Sequence, residues 1–327
     1  MNRAAWANAG AFAVALLLAT LAAGWDRDAA PGQHLSAPAA GGGAARLEAP
    51  GADAASVRDA SGFLVRPGGY QRIASCAHPS DLLLLELCEP QRVVAFSRYT
   101  TGAEAFRLGT TPRLSGLDDI EAVLAVHPDL VLLSASAGDA GRIARLRASG
   151  IAVFDLGEQA GLSTLTAQAL ALGALLEVRP RAEHFAATLS RRMAAVQARL
   201  PRQTPRRRAV VVLVVGTLLY GGTVGSSYHD VLEAAGLNDA AAAAYHGWPQ
   251  YRLEELIALD PDVIVTARGM GATLARLPGL SAMRALSQPQ GVIEMDDERL
   301  SDAGPGMLEA AEELCARAYP AAASQRR

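Results

Sequence analysis

Lysine is absent from this 327-residue chain; all 30 basic residues are arginine. Beside abundant alanine and 31 glycines, that reads as codon bias rather than an adaptation to phosphate. The glycines Gly216, Gly221, Gly222 and Gly225 spell neither a dinucleotide fingerprint nor a phosphate loop, and are read as turn residues. Excess charge is lacking too: a net charge of -3 and a pI near 6.1 exclude nucleic acid and an anionic membrane surface as expected partners. Cysteine is scarce. Cys76, Cys88 and Cys315 form no CxxC pair, and their odd number excludes a fully paired disulfide framework, leaving room for one bridge of unassigned partners. Catalytic signatures are missing as well: there is no GxSxG elbow, no HExxH, and no Cys/His pair with a supporting acid. The expectation is a protein that is not an enzyme and carries no resident cofactor.

Long apolar runs are also absent. The N-terminal one covers residues 9–23, about 15 residues against the ~20 that span a bilayer. Arg3 before it, and the small residues Ala22 and Gly24 at its end as a cleavage site, give residues 1–24 the form of an export signal, with a retained anchor as the alternative. No cysteine follows the apolar run, which argues against a lipid anchor. Residues 25–69, rich in Ala, Gly, Pro and Ser, read as a disordered linker.

What is present is a phrase said twice. Residues 120–135 read IEAVLAVHPDLVLLSA, and residues 253–267 read LEELIALDPDVIVTA. Each has a Glu (Glu121, Glu254), an apolar stretch of helical period, Pro-Asp seven residues after the Glu, and an aliphatic run of strand length. A helix-to-strand unit recurring about 130 residues apart predicts two similar lobes. Around it the pattern alternates. Strands are expected at 72–75, 93–96, 130–134 and 152–156, with helices at 81–87 and 140–149, then strands at 209–215, 263–266 and 292–295, with helices at 228–235 and 306–319. Alternation of this kind gives parallel sheets covered on both faces, an α/β fold with two Rossmann-like lobes. The lobes are placed at 70–160 and 206–322. The helical stretch between them (161–205), interrupted at Pro180, supplies one long helix as an inter-lobe spine.

Ligands of open parallel sheets sit beyond the carboxyl ends of the strands. That rule selects Cys76, His78, Arg98 and Tyr99 in the first lobe, and Tyr220, Arg268 and Arg299 in the second. Tyr245, His246 and Trp248 lie just ahead of the second repeat helix. Aromatic, Arg and His side chains of this kind line pockets for large, partly apolar ligands. Each also has a plainer reading: Trp248 as a loop wedge, His78 as a satisfied loop histidine, Cys76 as a small buried residue. Glu121 and Glu254 sit in first helical turns, where a carboxylate favours the dipole, and Asp118 with Glu121 fits a capping box.

From about Tyr70 to Tyr319 the chain resembles the periplasmic substrate-binding proteins of vitamin B12, haem and ferric-siderophore ABC importers. The pieces that carry the resemblance are RIASCAHPSDLLLLELCEPQRVVAFS, the two Glu-to-Pro-Asp units, SSYHDVLEAAGLND and GWPQYRLEELIALDPDVIV. The resemblance implies two lobes joined by a rigid helix, with a cobalamin, haem or ferric siderophore held in the cleft, in an exported periplasmic monomer. It also implies an ABC permease dimer with its ATPase as partner, onto whose arginines Glu121 and Glu254 dock. Cys76 and His78 depart from the small residue and the Pro or Ser common in relatives, while Trp248-Pro249-Gln250 looks most like the cobalamin-binding members. A metal-dependent enzyme using Cys76, His78 and His246, or a tethered sensor on the same scaffold, are the competing readings.

Overall fold

The computed structural model describes residues 56–100, 102–134, 140–200, 205–296, 299–300 and 304–320; the export segment expected at 1–24 and the linker as far as residue 55 lie outside them. A hairpin of β1 (Val57–Arg58) and β2 (Leu64–Val65) leads into β3 (Ile73–Ser75), α1 (His78–Leu87), β4 (Val93–Ser97) and α2 (Gly102–Arg107). Then come β5 (Arg113–Leu114), α3 (Ile120–Ala125), β6 (Leu130–Leu133), α4 (Ala140–Ala148) and β7 (Ala152–Asp155). Two helices follow, α5 (Leu162–Leu175) and α6 (Arg179–Gln197). The chain continues through β8 (Arg208–Val211), β9 (Leu213–Val215), β10 (Leu218–Tyr220), α7 (Ser227–Ala234), β11 (Asn238–Asp239) and β12 (Gln250–Tyr251). It ends with α8 (Leu253–Leu259), β13 (Val263–Ala267), β14 (Val292–Met295) and α9 (Gly306–Ala318).

The architecture is α/β with two parallel sheets, one per lobe: β5-β4-β3-β6-β7 and β11-β8-β13-β14. Period-two side-chain alternation with both faces covered explains why the inner strands β6 and β13 are largely aliphatic along their length. In β6, Leu130 and Leu132 point into one apolar cluster while Val131 and Leu133 point into another; in β13, Val263 and Val265 oppose Ile264 in the same way. One of these clusters is shared. It runs from β3, β6 and β7 through α5 and α6 to β8, β13, α7 and α9, so the two lobes have a continuous core on that side.

Helix α6 begins with Pro180 in its first turn, where a missing N–H costs nothing. It buries Ala182, Ala186, Leu189, Met193 and Val196. Its first half meets the first lobe: Arg181 donates to the Leu87 carbonyl at 3.3 Å. Its second half meets the second lobe, with Arg192 2.8 Å from Glu309 on α9. Gly173 of α5 lets α6 cross closely, since a Cβ there would lie 2.2 Å from that of Ala182.

The Pro-Asp of the repeated phrase is a fold device. The helix before each ends in a left-handed residue, His127 (φ 44°) and Asp260 (φ 39°). The Asp then reaches the first strand of its own lobe: Asp129 accepts from the backbone N–H of Gln71 (2.7 Å) and Arg72 (3.0 Å), and Asp262 from that of Arg208 (2.9 Å). Both aspartates therefore hold register, one per lobe.

Two expectations need correction. The linker expected over 25–69 gives way to structure by residue 57, because Asp59 organises the β1–β2 turn. Its buried carboxylate accepts from the Ser61 N–H (2.9 Å), the Ser61 hydroxyl (2.6 Å) and the Phe63 N–H (2.8 Å), and it meets Arg147 at 3.4 Å. The Arg147 guanidinium lies 3.6 Å from the Phe63 ring centroid, and Val57 and Val65 enter the shared core. Asp59→Ala strands these donors, so a loss of about 2–4 kcal/mol is expected. Thermal unfolding should move down by roughly 5–10 °C; an unchanged midpoint would show the hairpin to be an ornament. Second, the single strand expected at 209–215 divides. After Val212, whose N–H still donates to Val265, the chain leaves the parallel sheet. A two-residue Gly216-Thr217 turn then forms an antiparallel hairpin with β10, to which β12 adds. Gly216 has φ 63°, which a tight hairpin of this hand requires.

Candidate functional site

In the first sheet, β3 leads outward to β4 and β5 on one side while β6 and β7 extend the other, so the strand order reverses between β3 and β6. The second sheet reverses between β8 and β13. Crevices beyond the carboxyl ends at such points are the binding places that open α/β sheets offer.

At the first reversal stands His78, the opening residue of α1 and partly exposed. Its Nδ1 lies 2.8 Å from the Thr100 hydroxyl, which donates to Asp81 at 2.6 Å. The Ser97 hydroxyl also donates to Asp81 at 2.6 Å, and the Ser97 N–H at 3.0 Å. Asp81 is wholly buried; burial raises its carboxyl above the usual range while these donors pull it back. Sequence reasoning reached Arg98 and Tyr99 at this strand end but missed Asp81, whose position in the first turn of α1 is the signal that pairs it with β4.

Beside this network Tyr99 is 49% exposed, with its hydroxyl donating to the Ser115 carbonyl at 3.2 Å. The Arg98 guanidinium lies 5.4 Å from the Tyr99 ring centroid and is exposed. Cys76 belongs elsewhere. It is buried in the apolar cluster of the first lobe, and burial, then the Asp81 charge, push its thiol up to about 12. A thiol so held supplies no thiolate at neutral pH. Cys76, Cys88 and Cys315 are all buried and unbridged.

In the second lobe Trp248 is 42% exposed and rests edge-on against Tyr228, ring centroids 4.8 Å apart at 89°. The His246 ring covers Gly225, where a Cβ would come within 2.4 Å of it. Tyr245 is half-buried, edge-on to Tyr251 at 5.3 Å; its phenol is raised by burial, then by Glu255. Tyr220 closes β10 and is half-buried. Arg268 is exposed directly after β13, close to the second reversal. Arg299 is exposed but tied to Glu313 of α9 at 3.3 Å. The structure thus gathers His78, Arg98 and Tyr99 on one rim, and carries Tyr220, Tyr245, Trp248 and Arg268 in the other lobe.

Glu121 and Glu254 each stand in the first turn of a short helix. The Glu121 side chain is 76% exposed, 3.2 Å from Arg145, which is 60% exposed. Glu254 is exposed, without an ion pair among the described residues. Neither caps its helix. Asp119, rather than the expected Asp118, accepts the Ala122 N–H at 3.0 Å, and Glu255 accepts the Arg252 N–H at 2.9 Å. A separate open groove of about 490 Å³ runs between α1 and α6, lined by Glu86, Pro180, Arg181, His184, Phe185 and Thr188. It lies at the helical side, away from the strand ends. Among the described residues, no group of three or more His, Cys, Asp or Glu could hold a metal ion, and no helix is long and apolar enough to cross a membrane.

The pattern that defines the family described as Periplasmic binding protein matches residues 73–298. An uncharacterized ABC transporter substrate-binding lipoprotein, YvrC, of Bacillus subtilis is 24% identical over 207 residues, 62% of this chain and 65% of that protein. A cobalamin-binding protein of Halobacterium salinarum is 29% identical over 179 residues, 54% of this chain and 46% of that one. The chain thus spans less than two thirds of the length of either relative. Among solved structures, the periplasmic heme-binding protein RhuT of Roseiflexus superposes with a TM-score of 0.66 at 24% identity, over 78% of this chain and 100% of that one. The vitamin B12 binding protein BtuF of Vibrio cholerae does so with a TM-score of 0.61 at 20% identity, over 80% and 100%.

Proposed function

The chain belongs to the periplasmic binding protein family, and from that premise we propose that it is the substrate-binding component of an ABC importer, taking a cobalamin or an iron chelate into a cleft between its lobes. The observation that carries this is the doubling of one design. Each parallel sheet is fed by a short helix presenting an exposed Glu, and each ends in a rim with an aromatic ring half in solvent, Tyr99 in one lobe and Trp248 in the other. The two lobes meet beyond the end of β7. The N–H of Leu162, just beyond β7, donates to Asp230 in the first turn of α7 at 2.6 Å. Helix α6, packed against both lobes and sharing their core, serves as the stiff rod that limits closure.

The protein does no chemistry on its ligand. Tyr99, Tyr245 and Trp248 supply flat apolar faces, Tyr220 a phenol, and Arg98 and Arg268 pair with carboxylates or phosphates of the ligand. Arg299, already committed to Glu313, takes a smaller part, and buried Cys76 shapes the wall beneath the first rim. The relatives named for cobalamin and haem support the ligand class. Export to the periplasm, delivery to a permease driven by an ATPase, and a monomeric state complete the reading.

Absorbance titration of the purified chain with cyanocobalamin, haem and ferric siderophores is expected to give tight, saturable binding of one of them. Trp248→Ala should then weaken that ligand by about 2 kcal/mol, roughly thirtyfold, as loss of a central aromatic contact does. Failure of folded protein to bind any of the three would overturn the ligand class.

A further inference from the structure

The start of α7 is held from two sides. On one side His229 reaches β11: its Nδ1 lies 2.8 Å from Asp239 Oδ2, which also receives the Thr223 hydroxyl at 2.7 Å. Asp239 Oδ1 receives the Ala241 N–H at 2.9 Å, and the Asp239 side chain is 1% exposed. With a hydroxyl and an amide donating to it, Asp239 serves as an ionised acceptor, so Nδ1 of His229 carries the ring proton. Helix α7 is thereby fixed to its own lobe. On the other side the next residue, Asp230, crosses to the exit of the first lobe. Its Oδ2 receives the Leu162 N–H at 2.6 Å, and Gly161, at φ 129°, brings the backbone so near that a Cβ would lie 2.2 Å from that oxygen. Asp230 is half-buried in this contact. A parting of the lobes at this point breaks the bond and returns the carboxyl to water.

What a carboxyl does at a parting interface follows from its solvation. Losing water disfavours the charged form, while an N–H donor and a nearby imidazole favour it. Burial, the strongest of these influences at Asp230, outweighs the Leu162 N–H and His229, and Glu233 adds to it, so the joined carboxyl is held above the usual range. Freed into water it returns to that range. Joining therefore takes up a proton, and acid favours the joined state. The gain begins as pH falls through the raised value and is complete below the ordinary carboxylate range. Other charged groups surround α7. Glu233 is tied to Arg206 at 2.9 Å, and Arg192 of α6 holds Glu309 and Glu312 of α9. Arg199 of the α6 end is exposed, and the Tyr319 hydroxyl reaches the Gly236 carbonyl past the far end of α7. The first lobe adds Asp155, which accepts the Gly157 N–H at 2.8 Å, and exposed Glu158. We propose that Asp230 is a proton-sensitive latch between the lobes, holding the Leu162 N–H more firmly as the surroundings acidify. The latch belongs to the lobe junction and stands apart from the importer reading.

The test needs no ligand, so its failure and the failure of that reading are separate results. On the full chain, exchange of the Leu162 amide is followed from about pH 7 to about pH 4 and divided by the rate of an unstructured chain at the same pH. Protection in the wild type is expected to rise by about threefold or more toward acid. Asp230→Asn keeps an oxygen for the N–H but cannot titrate. It should be protected near the wild-type acid level throughout, without the rise; any pH dependence that His229, Glu233 or Glu158 supplies persists in this variant and is subtracted. Asp230→Ala should expose the amide by about tenfold at every pH. Slow exchange retained at Val131 and Val210, inside the two sheets, shows that each lobe of the variants is folded. Wild-type protection that stays flat or falls toward acid overturns the latch. So does an Asp230→Asn protein that keeps the rise, or one as unprotected as Asp230→Ala.

Discussion

Reversing both exposed glutamates, Glu121→Arg together with Glu254→Arg, is expected to abolish import in cells while leaving ligand affinity unchanged within about twofold. The argument starts from exposure. Glu121 is 76% exposed and Glu254 is open to solvent, so their own contacts contribute little to the fold; an exposed pair such as Glu121 with Arg145 is worth about 0–1 kcal/mol. Capping is done by their neighbours, Asp119 and Glu255, so neither glutamate is explained by its helix. If both meet arginines of a permease, neutral variants lose only modest orienting attraction, whereas reversal sets cation against cation at both ends of the interface. Like charges so placed cost several kcal/mol and slow encounter. The double Ala variant should therefore import slowly, and the double Arg variant not at all. The measurement is uptake of the identified ligand by a strain relying on this protein, with affinity measured in parallel on the purified variants. Normal uptake by the double Arg variant would remove the docking role.

Much of the fold was legible because two periodicities were present at once. The inner strands β6 and β13 carry aliphatic residues on both faces, as a doubly covered sheet demands, and Val210 and Val211, or Val131 and Leu132, show the two faces being buried in different clusters. The repeated phrase was legible as a repeat, yet its Pro-Asp was not legible as a register device: the partner N–H groups lie 54 to 58 residues away, beyond any local pattern. The hairpin at Val57–Val65 was hidden for a related reason. Its Asp59 draws on Arg147, 88 residues on, while the surrounding Ala, Gly and Ser have the composition of a linker. The break at Val212 was hidden because a β-branched run looks the same whether it stays in one sheet or changes partner.

The site was legible at the level of strand ends. His78, Arg98, Tyr99 and Arg268 follow strands directly, and the rule that ligands lie beyond carboxyl ends needs nothing more. What the rule cannot see is which way a side chain turns at that end. Cys76 turns inward to the cluster and Arg299 turns to Glu313, whereas Asp81, one helical turn into α1, turns back to hold Ser97 and Thr100.

Gly161→Ala is expected to cost the fold heavily. Gly161 has φ 129° and ψ −163°, a region that only glycine occupies readily. A Cβ built there would lie 2.2 Å from Asp230 Oδ2, the same oxygen that accepts the Leu162 N–H at 2.6 Å. The methyl group thus meets strain and a clash together, and relieving the clash breaks the bond between the exit of β7 and the start of α7. Burial already holds the Asp230 carboxyl above the usual range, with the Leu162 N–H as its stabilising donor, so a displaced Asp230 loses its partner in a half-buried place. Backbone strain of about 1–3 kcal/mol and a stranded pair of about 1–3 kcal/mol give an expected loss of roughly 3–5 kcal/mol. The melting midpoint should fall by about 10 °C. The second variant isolates the cause. Asp230→Ala alone removes the bond but keeps the glycine conformation, and Gly161→Ala with Asp230→Ala removes the clash but keeps the strain. The double variant should therefore be more stable than the sum of the single losses by about 1 kcal/mol or more, the coupling expected of residues in contact. Strict additivity would mean that the two residues do not meet, and that the lobe junction is held by the shared core of α5 and α6 alone.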